Sequence, residues 1–331
     1  MLAFVTDHFS LTQYPCSLTC VSFVAIVAQL VRAPACGAGG RRFESGLSPH
    51  LLLWSLLLLT FFPFGAGADD TRVTEALNLS YGEHERQVLD VVSSEACRSA
   101  PVILFFHGGS WRWGQKDYHR EIGKQFARKG IVFVTANYRL YPEVRFPAFA
   151  EDAALASAWV RKNAQAHGGD GKNLFLMGHS AGAHNACLVG LDSVYLKAHG
   201  GSLDWIRGVI SMSAPYEFDP NKEFLYRDLF PSSVDRNSTM PAFQVGRNKA
   251  PPFLLMHGRF DPLIKYELCE KFSEALKQAG GTAETKIYAS HGHFSLIRRT
   301  SSWHLWPKPL LGDVVDFVER FGIPRKPDPT E

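Results

Sequence analysis

The stretch that most constrains this chain is Gly178-His179-Ser180-Ala181-Gly182, set between the apolar run 173–177 (NLFLM) and the helix-forming run AHNACLVGL. A serine with a glycine two positions away on each side, where a strand gives way to a helix, predicts a tight turn. Side chains at the glycine positions would collide with the neighbouring strand and helix. The turn would hold Ser180 in a strained backbone conformation and present its hydroxyl above a sheet, at a helix N-terminus whose partial positive charge suits an anion. Such a turn needs a strand inside a sheet covered on both faces, so the rest of the chain has to supply that sheet.

It does so by alternation. The runs 101–106 (PVILFF), 131–136 (IVFVTA), 205–212, 252–256 and 285–289 read as strands, the first two continuously apolar as expected of strands buried on both sides. Helical patterns at 117–129, 148–166, 267–279 and 312–321 fall between or after them. The run 86–92 (RQVLDVV) alternates and reads as an antiparallel edge strand. This order predicts an α/β class protein, a doubly wound, mostly parallel sheet with helices on both faces, formed as a single domain over 69–331. The segment 214–252 is rich in aromatics and proline without clear period, and reads as a small cap-like insertion between two strands.

A serine hydroxyl is a weak nucleophile until a base takes its proton, and the base needs an orienting carboxylate. After such a turn the expected chain order is serine, acid, histidine. Asp261, in MHGRFDPLI after the strand 252–256, is the candidate acid, with Asp235 and Glu267 as alternatives and a helix N-cap as its other role. His293, in SHGHF after the strand 285–289, is the candidate base, with His291 as the competitor; His179, His184 and His257 read as packing or surface residues. An oxyanion needs donors. The backbone amide of Ala181 is one, and the amides of Gly108 and Gly109, in HGGSW after the strand 101–106, are the others. Trp111 and Tyr216 are candidate substrate contacts, with Trp113, Phe218, Phe224, Tyr226, Phe230, Phe243, Trp303 and Trp306 as further aromatics of the cleft. Arg139 and Glu143 read as a structural ion pair.

Composition narrows the partners. The net charge of +3 comes without a Lys/Arg block, which argues against nucleic acid. Of six cysteines, Cys97, Cys187 and Cys269 follow residue 68; they are odd in number and widely spaced, which suggests neither a disulfide framework nor a metal site. The first 68 residues differ from the rest. The 14-residue apolar run 51–64 (LLLWSLLLLTFFPF), with Arg41 and Arg42 before it and Ala66-Gly67-Ala68 after it, has the form of a signal peptide cleaved after Ala68. The expectation is a secreted or periplasmic protein without a stable membrane span after cleavage; the alternative is an anchor at 51–64. Upstream, Arg42-Phe43-Glu44-Ser45 matches what the T-arm of a transfer-RNA gene would encode, which predicts a true start downstream of residue 48.

The motifs HGGSW, ANYRLYPEVRFP (136–147), GHSAGAH, HGRFD and HGHF together resemble the α/β-hydrolase superfamily over residues 88–321, more narrowly its carboxylesterase/lipase branch of feruloyl-esterase-like and hormone-sensitive-lipase-like serine esterases. HGGSW and GHSAGAH, rather than HGGG and GDSAGG, are nearer the carboxylesterase and feruloyl-esterase-like group and the kynurenine formamidases. The resemblance implies a serine carboxylic-ester hydrolase without cofactor, working through an acyl-enzyme on small to medium apolar or aromatic esters. The alternatives are an arylformamidase-like amide hydrolase and a non-catalytic binding protein of the same fold.

Overall fold

The structure is a computed structural model and describes residues 71–222, 225–298 and 308–324. The apolar run 51–64, the cleavage point after Ala68, Phe224, Trp303 and Trp306 lie outside the described residues. Eight strands form one sheet: β1 (Val73–Ser80), β2 (Val88–Ser94), β3 (Ala100–Phe106), β4 (Val132–Ala136), β5 (Gly169–His179), β6 (Ile206–Met212), β7 (Phe253–Gly258) and β8 (Ala283–Tyr288), in the order β1-β2-β4-β3-β5-β6-β7-β8. The β1–β2 and β2–β4 pairs are antiparallel and the other five pairs are parallel. The sheet is therefore the mostly parallel, doubly wound one that the alternation predicts.

The α-helices among the described residues are α1 (Arg120–Arg128), α2 (Ala148–Asn163), α3 (Ala181–Leu191), α4 (Ser193–Lys197), α5 (Arg236–Thr239), α6 (Tyr266–Gln278), α7 (Ser295–Arg298) and α8 (Lys308–Phe321). Alternate side chains of a strand point to opposite faces, and the central strands need apolar residues on both. Leu104, Phe106, Leu174 and Leu176 face one core with Val160 of α2, Leu188 of α3 and Phe272 of α6. Ile103, Phe105, Phe175 and Met177 face the other, with Phe126 of α1 and Phe317 of α8. This two-sided covering is why PVILFF and NLFLM read as unbroken apolar runs.

Two expectations are corrected. The segment 86–92 is antiparallel but is not the edge, because β1 lies outside it. The strand β1 was not predicted: its burial runs intermediate, exposed, exposed, intermediate, a period that does not advertise a strand. Arg139 and Glu143 do not pair with each other. Arg139 donates to the buried Asp152 carboxylate at 2.7 Å, while Glu143 meets His84 at 2.6 Å.

Candidate active site

Ser180 caps α3 with φ 53° and ψ −121°, left-handed backbone that a residue with a Cβ adopts at a cost of about 1–3 kcal/mol. The flanking glycines explain how the turn is held. A Cβ on Gly182 would overlap the carbonyl oxygens of Phe106 and His107 at the end of β3, and one on Gly178 would overlap the Gly182 backbone. The turn is thus pressed between strand and helix backbones. Its amide donates to the Met212 carbonyl at 2.8 Å, which ties the turn to β6.

Two loops meet at its hydroxyl. His293, after β8, approaches with Nε2 3.0 Å from Ser180 Oγ, and its Nδ1 lies 2.7 Å from Asp261 Oδ2 in the loop after β7. The acid–histidine–serine chain is continuous although 113 positions separate Ser180 from His293. Of the competitors, His291 faces Ser295 Oγ through Nδ1 at 3.3 Å, and Asp235 caps α5 through the Asn237 amide. Asp261 is not a helix N-cap, because the next helix opens at Tyr266 with Lys265 as its cap; its Oδ1 accepts the loop amides of Leu263 and Ile264, both at 2.9 Å, while Oδ2 faces His293. Burial opposes its ionisation, yet hydrogen bonds from His257 and His293 and from the Ile264 amide outweigh that and hold the carboxyl far below the usual carboxylate range. A permanently ionised acid fixes the His293 proton on Nδ1 and leaves Nε2 free to accept from the serine.

Gly108 and Gly109 run beside this turn. A Cβ on Gly108 would stand 3.1 Å from the Ser180 Cβ and 2.8 Å from His179 Nδ1, so only a bare Cα lets the loop approach so closely. Gly109 takes φ +122°, where a side chain would also strike the Trp113 carbonyl. The Ala181 amide opens α3, and no preceding turn can satisfy it. Gly108 therefore borders the serine, Gly109 follows it in the same loop, and Ala181 is the serine's own chain neighbour.

The loop is braced from below by residues whose roles the sequence did not reveal. His107 donates from Nδ1 to the Gly108 carbonyl at 2.8 Å and stacks on Tyr138, whose hydroxyl donates to the His107 carbonyl at 2.9 Å. His179 and His257 are not idle packing either. The His179 Nε2 lies 2.9 Å from the His293 carbonyl, and burial, with the nearby His293, pushes its pKa down to about 3; it is neutral and donates. Burial likewise lowers His107 and His184 to about 4.

The two predicted substrate contacts are elsewhere. Trp111, 1% exposed, donates to Asn185 Oδ1 at 3.0 Å and packs against Phe149, His184 and Phe230; it fastens the glycine loop to α3 rather than lining an open cleft. Tyr216, also 1% exposed, stacks on Phe272 with ring centres 4.2 Å apart and hydrogen-bonds Ser211 at 2.9 Å. Both are core residues because the insertion folds its rings inward. Phe218, Tyr226 and Phe230 gather around Trp111, and the Leu225 carbonyl accepts from Arg112 at 2.8 Å. Phe294, next to His293, is exposed.

The chain is similar to known esterases in sequence and fold. A BD-FAE family model matches residues 89–223. Among curated proteins, the chain is 28% identical over 233 residues to the probable isoprenylcysteine alpha-carbonyl methylesterase ICME of Oryza sativa subsp. japonica, covering 64% of this chain and 56% of that protein. It is 31% identical over 217 residues to the esterase LipC of Mycobacterium tuberculosis, covering 60% of this chain and 54% of that one. The chain thus matches little more than half the length of these relatives. Among solved structures, Thermogutta terrifontis esterase 2 phosphorylated by paraoxon aligns with TM-score 0.61 and 22% identity over 76% of this chain and 96% of that one. A truncated carbohydrate esterase from gut microbiota aligns with TM-score 0.63 and 18% identity over 76% and 97%. The chain thus shares the fold of these esterase structures and is similar, over part of its length, to carboxylesterase-type proteins.

Proposed function

We propose that this chain is a serine carboxylic-ester hydrolase that works through an acyl-enzyme. Ser180 Oγ attacks the ester carbonyl carbon while His293 Nε2 takes its proton. The negative charge that gathers on the carbonyl oxygen is met by the amides of Gly108, Gly109 and Ala181. His293 then returns the proton to the leaving alkoxide, and the carbonyl re-forms as an ester on Ser180. Water, deprotonated by the same imidazole, attacks this acyl-enzyme and releases the acid and the free serine. Asp261 keeps His293 in the required tautomer and stabilises the imidazolium formed in each half-reaction.

The observation that carries the reading is the unbroken run from Asp261 Oδ2 through His293 to Ser180 Oγ, at 2.7 and 3.0 Å, beside a loop that only glycine can bring so near. The substrate class proposed is small to medium apolar or aromatic esters, and the packing of Phe218, Tyr226 and Phe230 around Trp111 supports 214–252 as a cap beside the glycine loop. The run 51–64 supports export of the chain with removal of the leader after Ala68. Among the described residues, no helix is long and apolar enough to cross a membrane.

The test is turnover of p-nitrophenyl esters of increasing acyl length, with N-formylkynurenine as the amide comparison. Ester turnover that falls at least about 10⁴-fold in Ser180→Ala is expected. Preferential turnover of the formamide would replace the ester reading by the amide one, and a Ser180→Ala variant as active as wild type would end both.

A further inference from the structure

The acid of the site has a second histidine. His257 stands one residue before the end of β7 and four before Asp261, and both side chains are wholly buried. Its Nε2 lies 2.9 Å from the Ile264 carbonyl and 3.3 Å from Asp261 Oδ2. Both neighbours are acceptors, so the Nε2 proton is shared between them, and Nδ1 has no hydrogen-bond partner. Ile264 closes the circuit, because its own amide donates to Asp261 Oδ1 at 2.9 Å. The carboxylate is thereby held by four donors: the Leu263 and Ile264 amides on one oxygen, and His293 and His257 on the other. Two amides alone would fix Oδ1 but leave Oδ2 free to swing about it. The His257 proton opposes that swing and also steadies the loop from which the two amides come.

We propose that His257 is a positioning residue of the acid–base pair, which sets the direction of Asp261 Oδ2 and so the orientation of His293 toward Ser180. It touches no substrate and acts only through Asp261; the inference rests on the roles given above to Asp261 and His293. The titratable groups facing Asp261 are His257 and His293. His179 lies behind His293, and Arg259 on the same loop stacks over Tyr266 at 5.0 Å. A donor on Oδ2 draws off part of the charge that would otherwise favour protonated His293. Removing that donor without moving the loop should make His293 harder to deprotonate, which a purely structural role for His257 would not do.

The experiment compares wild type with His257→Leu, His257→Gln and Ser180→Ala on p-nitrophenyl butyrate between about pH 5 and pH 9. Active sites are counted by fluorophosphonate titration, so that misfolded material does not enter kcat. The expected result for His257→Leu is a roughly tenfold lower kcat per titrated site, the size of a lost hydrogen bond to a charged group. KM should stay within about twofold, and the acid limb of kcat/KM should move to higher pH. In His257→Gln, whose side-chain amide still donates, most of the rate and the wild-type limb should return. If the leucine variant is not recovered folded, His257→Asn takes its place, polar but too short to reach Oδ2, with the same loss expected. An unchanged kcat per site together with an unmoved acid limb would overturn the proposal while leaving the triad reading intact. Full activity in Ser180→Ala would instead remove the reading on which the proposal stands.

Discussion

The nucleophile side of the site and the acid–base side are held in place by different physics. Around Ser180 the constraint is steric and local. Gly178 and Gly182 let strand, turn and helix backbones touch, and Gly108 lets the neighbouring loop come within contact of the serine. Around Asp261 and His293 the constraint is polar and non-local: two loops from adjacent strand ends are locked by side-chain hydrogen bonds that reach from His257 and from His179 of the turn itself. The first arrangement tolerates no added atom. The second tolerates shape changes but not the loss of a donor or a change of protonation. A substitution on one side should therefore act on folding, and one on the other side on turnover.

The largest effect that separates the two belongs to Asp261→Asn. The amide preserves shape and can still accept the Leu263 and Ile264 amides, but an NH₂ turned toward His293 favours the wrong tautomer. A loss of about 10⁴ in kcat is expected in material that urea unfolding shows to be folded. On the other side, Gly182→Ala should cost about 3 kcal/mol or more, because its Cβ would meet backbone carbonyls rather than flexible side chains. The measurement is equilibrium unfolding in urea, and a glycine-to-alanine change as stable as wild type would contradict the steric account.

Acid should weaken the fold on both sides of the site. His107, His179 and His184 are neutral in the fold, with burial lowering them to between about 3 and about 4, and burial also holds His119 well below its ordinary value. An unfolded histidine titrates near about 6.5, so below that pH the unfolded chain binds protons that the folded chain refuses. The stability these groups contribute is complete above about pH 6.5 and is lost as pH falls toward their folded values. These four histidines should thus together contribute about four protons to the uptake on unfolding near pH 5, read from the pH dependence of the urea midpoint. The smallest effect concerns the corrected aromatic contact: Tyr216→Phe should cost about 1 kcal/mol for its hydrogen bond to Ser211 and leave KM unchanged. A raised KM would return Tyr216 to the substrate.

The same contrast governs what could be read from the chain. The turn at Ser180 is legible because its cause lies within five residues, and the alternation of apolar runs with helical ones is legible because both cores demand it. Asp261 and His293 could be singled out by chain order and by their position after strands, although their competitors were dismissed only by geometry. His257 and His179 carried a signal, a histidine four residues before the acid and one residue before the serine. Their hydrogen-bond partners lie on other loops or across a turn, so the residue type alone said nothing of orientation. Trp111 and Tyr216 were misread for the opposite reason: aromatic residues in an irregular segment serve equally to line a cleft or to fill a core, and here they fill it. Arg139 and Glu143, four positions apart, found partners in Asp152 and His84 that no local pattern names.

The central claim is that one hydroxyl, strained at the head of α3 and hydrogen-bonded to His293, is chemically activated. Intact-mass and peptide mapping after a fluorophosphonate reagent measure this most directly. The account predicts one adduct per folded molecule, located on Ser180, formed much more slowly in His293→Ala and absent in Ser180→Ala. Folded wild-type protein that takes up no reagent, or takes it up on another residue, would contradict it.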